Sequence, residues 1–165
     1  MTVFGKPLSA YVKFSQGVIV AVLVVGLARL ALSLAGMPNA TTKWFAMNGV
    51  MFFGLFYLAI RIQTTGFGTY KHLFPAILMP AIVFHGIAIL GIAIGMITGS
   101  DNVFTAAEYA FGQDGKTPLH IGAHLVLGIP ASTLINWLFG CLILFITRKL
   151  ARSSFSKPPR SKEDS

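Results

Sequence analysis

The chain has 165 residues, 55% of them hydrophobic and only 11% charged, with a mean hydropathy of +0.73. A soluble domain of this size needs more charge to cover its surface, so that class is excluded. The net charge of +8 does not indicate nucleic acid. Arg148, Lys149, Arg152, Lys157, Arg160 and Lys162 all follow the last apolar stretch, where a basic tail marks the cytoplasmic end of a membrane span and meets anionic lipid.

Four apolar runs cover 14–37, 44–62, 74–98 and 118–147. A helix rises about 1.5 Å per residue, so roughly 20 apolar residues cross a hydrocarbon core about 30 Å thick. The expectation is an all-α, integral membrane four-helix bundle, up-down-up-down. A single transmembrane domain occupies 1–152, and a basic, polar tail over 153–165 is disordered.

Lys6 and Lys13 precede the first run, which is too long for a signal-peptide core and is read as a retained span. Arg29 lies about two turns from its outer end, placed to snorkel outward or to meet acids of an outer loop. Gly36, Met37, Pro38 and Asn39 stop the helix. Trp44 then anchors the second span at headgroup depth. Asn48 follows near its outer end, and the aromatics Phe52, Phe53, Phe56 and Tyr57 lead to Arg61. A glycine-containing turn at 64–68 returns the chain to Tyr70, Lys71 and His72 at the inner interface.

On a helical projection of the third run, Ala81, His85, Ala88, Gly91, Gly95 and Gly99 share a stripe roughly 120° wide. Small residues let helices approach closely in lipid, so the stripe predicts a helix-packing face with His85 inside it. Two readings of His85 compete: a hydrogen bond across the interface, to Asn136 or a backbone carbonyl, and ligation of haem or another cofactor. The 99–117 connection predicts a short interfacial helix capped by Asp101 and stopped by Gly112, with Val103, Phe104, Ala107 and Phe111 on one side. Thr117 and Pro118 open the fourth span. His120 and His124 are spaced i,i+4 and therefore share a face. Pro130, with Ser132, Thr133 and Asn136 nearby, predicts a modest kink. Cys141 is the sole cysteine and reads as an apolar packing residue, with no intramolecular disulfide.

With both termini inside, the inner side receives Lys6, Lys13, Arg61, Lys71 and the basic tail. The outer loops receive Lys43, Lys116, Asp101, Glu108 and Asp114. This is the positive-inside pattern, N-in and C-in, in a bacterial inner membrane or an organellar membrane. By depth, Arg29, Asn48, His120 and His124 all fall in the outer third, which predicts a polar pocket lidded by 99–117. His85 sits about 13 residues from the outer end of its span and His124 about 6 from the start of its own, a mismatch of roughly 10 Å that handicaps any pairing between them. His72 is too far from both.

No intramembrane Asp or Glu is present to act as a base, and no nucleophile–histidine–acid set is apparent. The leading functional expectation is a non-catalytic membrane subunit that packs against partner membrane proteins or itself within the lipid bilayer, with a polar pocket near the outer face. The alternative is a redox-associated protein holding haem b or a quinone through His85, His120 or His124. A small oligomeric carrier or channel comes third, since cation coupling normally needs a buried carboxylate.

Overall fold

The computed structural model describes residues 1–42, 44–108, 110 and 114–155, with backbone alone over 152–155. It is all-helical apart from one small hairpin, and four helical stretches are long and apolar enough to cross a membrane: Leu8–Leu34, Asn39–Thr65, Tyr70–Thr98 and Pro118–Ala151. The expected positions of Lys43, Phe111, the stop at Gly112 and the tail beyond Phe155 lie outside the described residues, while residues 153–155, expected to be disordered, continue the last helix.

The chain opens with an unforeseen hairpin, β1 (Thr2–Val3) paired antiparallel with β2 (Lys6–Pro7). Phe4 and Gly5 take φ of +50° and +81° at its tip, the left-handed pair that a two-residue turn requires. Helix α1 (Leu8–Leu34) follows directly, so the first helix begins six residues earlier than the apolar run. The hairpin stays on the bundle end because Tyr11 donates its hydroxyl to the Val3 carbonyl at 2.9 Å, and Phe4 meets the His72 ring edge-on.

A four-residue helix, α2 (Asn39–Thr42), fills the first connection, and α3 (Met47–Thr65) ends at Gly66 with φ of +62°. Helix α4 (Tyr70–Thr98) starts where the His72 Nδ1 accepts the Thr69 N–H at 3.0 Å. That bond makes His72 a helix cap rather than a site residue. Pro75 and Pro80 lie inside α4 without ending it. A proline at 80 leaves the Ala76 carbonyl without its helical donor. Ser15 of α1 donates to that carbonyl at 2.7 Å, both groups being buried, so the vacancy becomes an interhelical bond.

The fourth span is α5 (Pro118–Ala123), a π-helical turn over His124–Gly128, and α6 (Ile129–Phe155). Thr117 caps α5 as expected, accepting the His120 N–H at 3.2 Å. The expected distortion at Pro130 takes the form of this widened turn, in which the Ile129 N–H reaches back to the His124 carbonyl. Proline cannot supply the next helical donor, and a π turn is one way for the ladder to absorb that loss.

In the bundle α1 packs on α3 and α4, α6 packs on the same two, and α3 meets α4 across the centre. Tyr11, Phe14, Val18, Val22, Leu55, Leu58, Ile62, Leu73, Ile77 and Leu144 form the core. Close helix approach depends on glycines of the other helices: an added Cβ at Gly26, Gly54 or Gly140 would overlap a side chain of a neighbouring helix. Phe53, Phe139 and Leu142 point outward, each more than half exposed, as lipid-facing residues do.

The third-span stripe is corrected in part. Ala81 and Ala88 are buried in the bundle, but Gly91 and Gly95 face the 99–117 connection rather than a helix. An added Cβ would lie 2.5 Å from Phe104 at Gly91 and 2.8 Å from Thr105 at Gly95. Gly99 does no packing: it ends α4 with φ of +72°. The short interfacial helix is corrected as well, since the described residues of this connection form turns. Buried Asn102 explains both. Its amide donates to the Gly91 carbonyl at 2.7 Å and accepts the Phe104 N–H at 3.0 Å, while its carbonyl accepts from the Thr105 hydroxyl. Val103 is buried and its N–H bonds Ser33 Oγ of α1 at 2.8 Å. The connection therefore plugs the end of the bundle instead of floating on it.

Candidate functional site

The plug sets the level of the histidines. Residues 102–105 fill the groove beside Gly91 and Gly95, and the contact between His85 and His124 implies that α5 begins about 10 Å below the end of α4, near seven residues of helical rise. That offset cancels the mismatch expected from counting inward from each helix end. The His85 Nδ1 and His124 Nδ1 lie 2.9 Å apart. The pairing that depth counting disfavoured is the central contact of the site.

Three further features hold it. His85 Nε2 is 3.0 Å from the Ser132 Oγ, so the partner on the fourth span is Ser132, while Asn136 donates to the Ser132 carbonyl of its own helix at 2.7 Å. Gly128, within the π turn, lies under the His85 ring: an added Cβ would be 2.7 Å from Cε1 and 2.8 Å from Nδ1. Neither Ser132 nor Gly128 was recognised from sequence as a partner of His85. The signal lay in a glycine one turn beyond His124, with Pro130 close behind. Finally, His120 stacks on His124 with ring centroids 5.0 Å apart, and its Nδ1 donates to the Gly115 carbonyl at 2.9 Å.

Beside these imidazoles is a cavity of about 320 Å³, lined in part by Ala46, Val103 and Phe104 from the 35–46 and 99–117 connections. Arg29, Asn48, His120 and His124 all line it, with Phe84, Ala88, Val103 and Phe104 as its apolar walls. The four polar residues that depth placed together are thus brought together in three dimensions. His85 stands behind His124, one hydrogen bond removed. The Arg29 guanidinium lies 5.9 Å from the Phe104 ring centroid, a cation–π distance. Outside the cavity the 99–117 connection is tied down by Lys116, whose Nζ is 2.6 Å from Asp101 and 3.8 Å from Asp114, and by an Asn39–Glu108 hydrogen bond of 2.8 Å. The Asp101 carboxylate bonded to it holds the Lys116 ammonium above the usual lysine range.

The proton positions follow from the inventory of imidazole donors. A neutral His–His contact through Nδ1 needs one N–H and one bare nitrogen. If His85 carries the hydrogen, its Nε2 is bare and accepts the Ser132 hydroxyl, and His124, which lines the cavity, carries its hydrogen on Nε2. If His124 carries it, His85 donates to Ser132 and the His124 Nε2 is an acceptor. The two neutral arrangements of the 2.9 Å contact thus offer a ligand opposite polarities at His124; passing from one to the other moves the shared proton and also requires His124 to give up its Nε2 hydrogen and His85 to gain one at its own Nε2. Among the described residues no three His, Cys, Asp or Glu side chains are arranged to hold a metal ion.

A second, larger groove of about 670 Å³ runs between α1 and α3 past Gly17, Ala21, Phe53 and Tyr57. Its lining is apolar, and the Tyr57 hydroxyl bonds Arg61 at 2.9 Å, so it lacks the convergent polar groups of a specific site. Compared with known proteins, the chain matches no family model, and no curated protein or solved structure shows significant similarity to it.

Proposed function

We propose that this membrane protein binds a quinone head group in the cavity between Arg29, Asn48, His120 and His124. The observation that carries this reading is the His85–His124 contact at 2.9 Å beside that cavity. A quinone presents carbonyl acceptors and its reduced form presents hydroxyl donors. A histidine whose exposed nitrogen can be either donor or acceptor suits both forms, and a fixed donor suits only one. Arg29 and Asn48 supply N–H groups for the carbonyl form, and Phe84 and Phe104 supply apolar walls for the ring. A cavity near 320 Å³ is at the small end for ligand pockets, which favours a single-ring head group with its tail in lipid.

Haem b, the other cofactor considered, is less well supported. Two imidazoles that ligate one metal from opposite sides stand about 4 Å apart, at about 2 Å per metal–nitrogen bond. Here His85 and His124 bond one another directly, and both His85 nitrogens have protein partners. The subunit reading loses one of its motives, because Gly91 and Gly95, expected to meet a neighbouring helix, are covered by the chain's own connection.

The same reading places the cavity on the outer side. Lys6, Arg61, Lys71 and Arg148 gather around Phe4, Phe14, Phe67 and Tyr70 at the opposite end. A basic end of that kind supports a cytoplasmic assignment, with both termini inside.

The test is binding of a short-tailed quinone to the detergent-purified chain, followed by calorimetry and by extraction of co-purified quinone. Binding lost in Arg29→Leu and His124→Leu, and kept in His72→Gln, is the expected result. No binding in detergent or liposomes would refute it, and a Soret band that disappears in His85→Leu would replace quinone with haem.

A further inference from the structure

At the basic end a separate cavity of about 380 Å³ is lined by Tyr70, Phe145, Arg148 and Lys149. Phe145 and Arg148 are three residues apart and Phe145 and Lys149 four, so all three side chains of α6 share one face. Phe145 lies about 5 Å deeper along the helix than the cations, one turn toward the centre of the span.

Arg148 is already fixed before any ligand arrives. Its Nε donates to the Gln63 Oε1 at 2.9 Å and its Nη2 to the Gly68 carbonyl at 3.3 Å, and the guanidinium lies 4.7 Å from the Tyr70 ring centroid. Five N–H groups on a guanidinium leave three free after those two bonds. The described carboxylates, Asp101, Glu108 and Asp114, all belong to the opposite end, where they bond Lys116 and Asn39. Among the described residues no protein anion is therefore available to Arg148 and Lys149.

We infer that this cavity binds the phosphate of an anionic phospholipid, with an acyl chain running over Phe145. Charge complementarity selects an anion, and the fixed guanidinium presents its remaining donors to phosphate oxygens at little cost in side-chain freedom. Phe145 and Leu142, both 56% exposed on the outer surface of α6, continue the site into the hydrocarbon region. Basic pockets at the ends of transmembrane helices recognise lipid headgroups in this way. The site is independent of the quinone cavity, which is at the other end of the bundle.

Native mass spectrometry of the full chain released from detergent tests the inference, with phosphatidylglycerol and phosphatidylcholine supplied at equal concentration. Each cation near the surface contributes about fivefold to retention of an anionic lipid. Phosphatidylglycerol should thus be held preferentially, and R148Q/K149Q should lower the preference about 25-fold. Lys149→Gln alone, which breaks no bond to the protein, should lower it about fivefold and guards against misfolding of the double variant. The control K13Q/K71Q removes two charges from the same end without touching the cavity and should leave most of the preference intact. Equal retention of the two lipids, an equal loss in the control, or a dimer that retains no lipid would each overturn the inference.

Discussion

Gly128→Ala probes the packing on which the whole site depends. The new Cβ would sit 2.7 Å from Cε1 and 2.8 Å from Nδ1 of His85. Carbon contacts become comfortable near 3.5 Å, so the ring must withdraw by roughly 0.7 Å. That displacement would stretch the 2.9 Å contact with His124 beyond hydrogen-bonding range, and strain the bond to Ser132 with it. Overpacking costs about 1–3 kcal/mol. Two interhelical hydrogen bonds within a membrane add about 1 kcal/mol. Replacing glycine by alanine in a helix returns about 1 kcal/mol, and Gly128 has no positive φ to oppose it. The net expectation is a loss of about 1–3 kcal/mol. The assay is unfolding in mixed micelles, followed by the fluorescence of Trp44 and Trp137. In a His85→Ala background the clash is gone and only the helical gain remains, so the same substitution should stabilise by up to about 1 kcal/mol. Opposite signs in the two backgrounds are the signature of direct contact. Additive effects would mean that Gly128 and His85 do not touch, and the arrangement of the site would have to be abandoned.

Two other outcomes follow from the plug formed by residues 99–117. Asn102→Ala removes the donor to the Gly91 carbonyl and the acceptor for the Phe104 N–H. It should destabilise by about 1–3 kcal/mol and speed hydrogen exchange around Val103 and Thr105, while Asn136→Ala leaves those amides unchanged; unaltered exchange in Asn102→Ala would show that the segment is not anchored there. The Lys116 pKa is raised, first by its hydrogen bond to Asp101. A base whose folded pKa exceeds its unfolded value stabilises fully below the unfolded pKa, and that contribution disappears as pH rises through the folded one. The small stability difference between wild type and Lys116→Met should therefore hold at neutral pH and close as pH climbs past the ordinary lysine range; a difference that grows with alkalinity would contradict the pairing.

Membrane insertion and helix number were legible in the sequence because they depend on quantities local to the chain: run length, hydropathy and charge placement. The same holds for the cap at Thr117 and the convergence of Arg29, Asn48, His120 and His124, since each lies near the end of its own helix and depth can be counted from there. The contact between His85 and His124 was not legible, because counting inward assumes that neighbouring helices end level. They do not: the 99–117 connection drops into the groove beside Gly91 and Gly95, held by Asn102, Ser33 and Thr105. Small residues at helical spacing report that something packs closely but not what, and here it is a loop. Gly128 and Ser132 acquire their meaning from a residue some forty positions earlier in the chain. The sequence by itself determined a four-span, all-helical membrane protein with polar residues near one end. Only the tertiary structure decided that two histidines share a proton there, because the relative height of two helices is set by what fills the space between their ends.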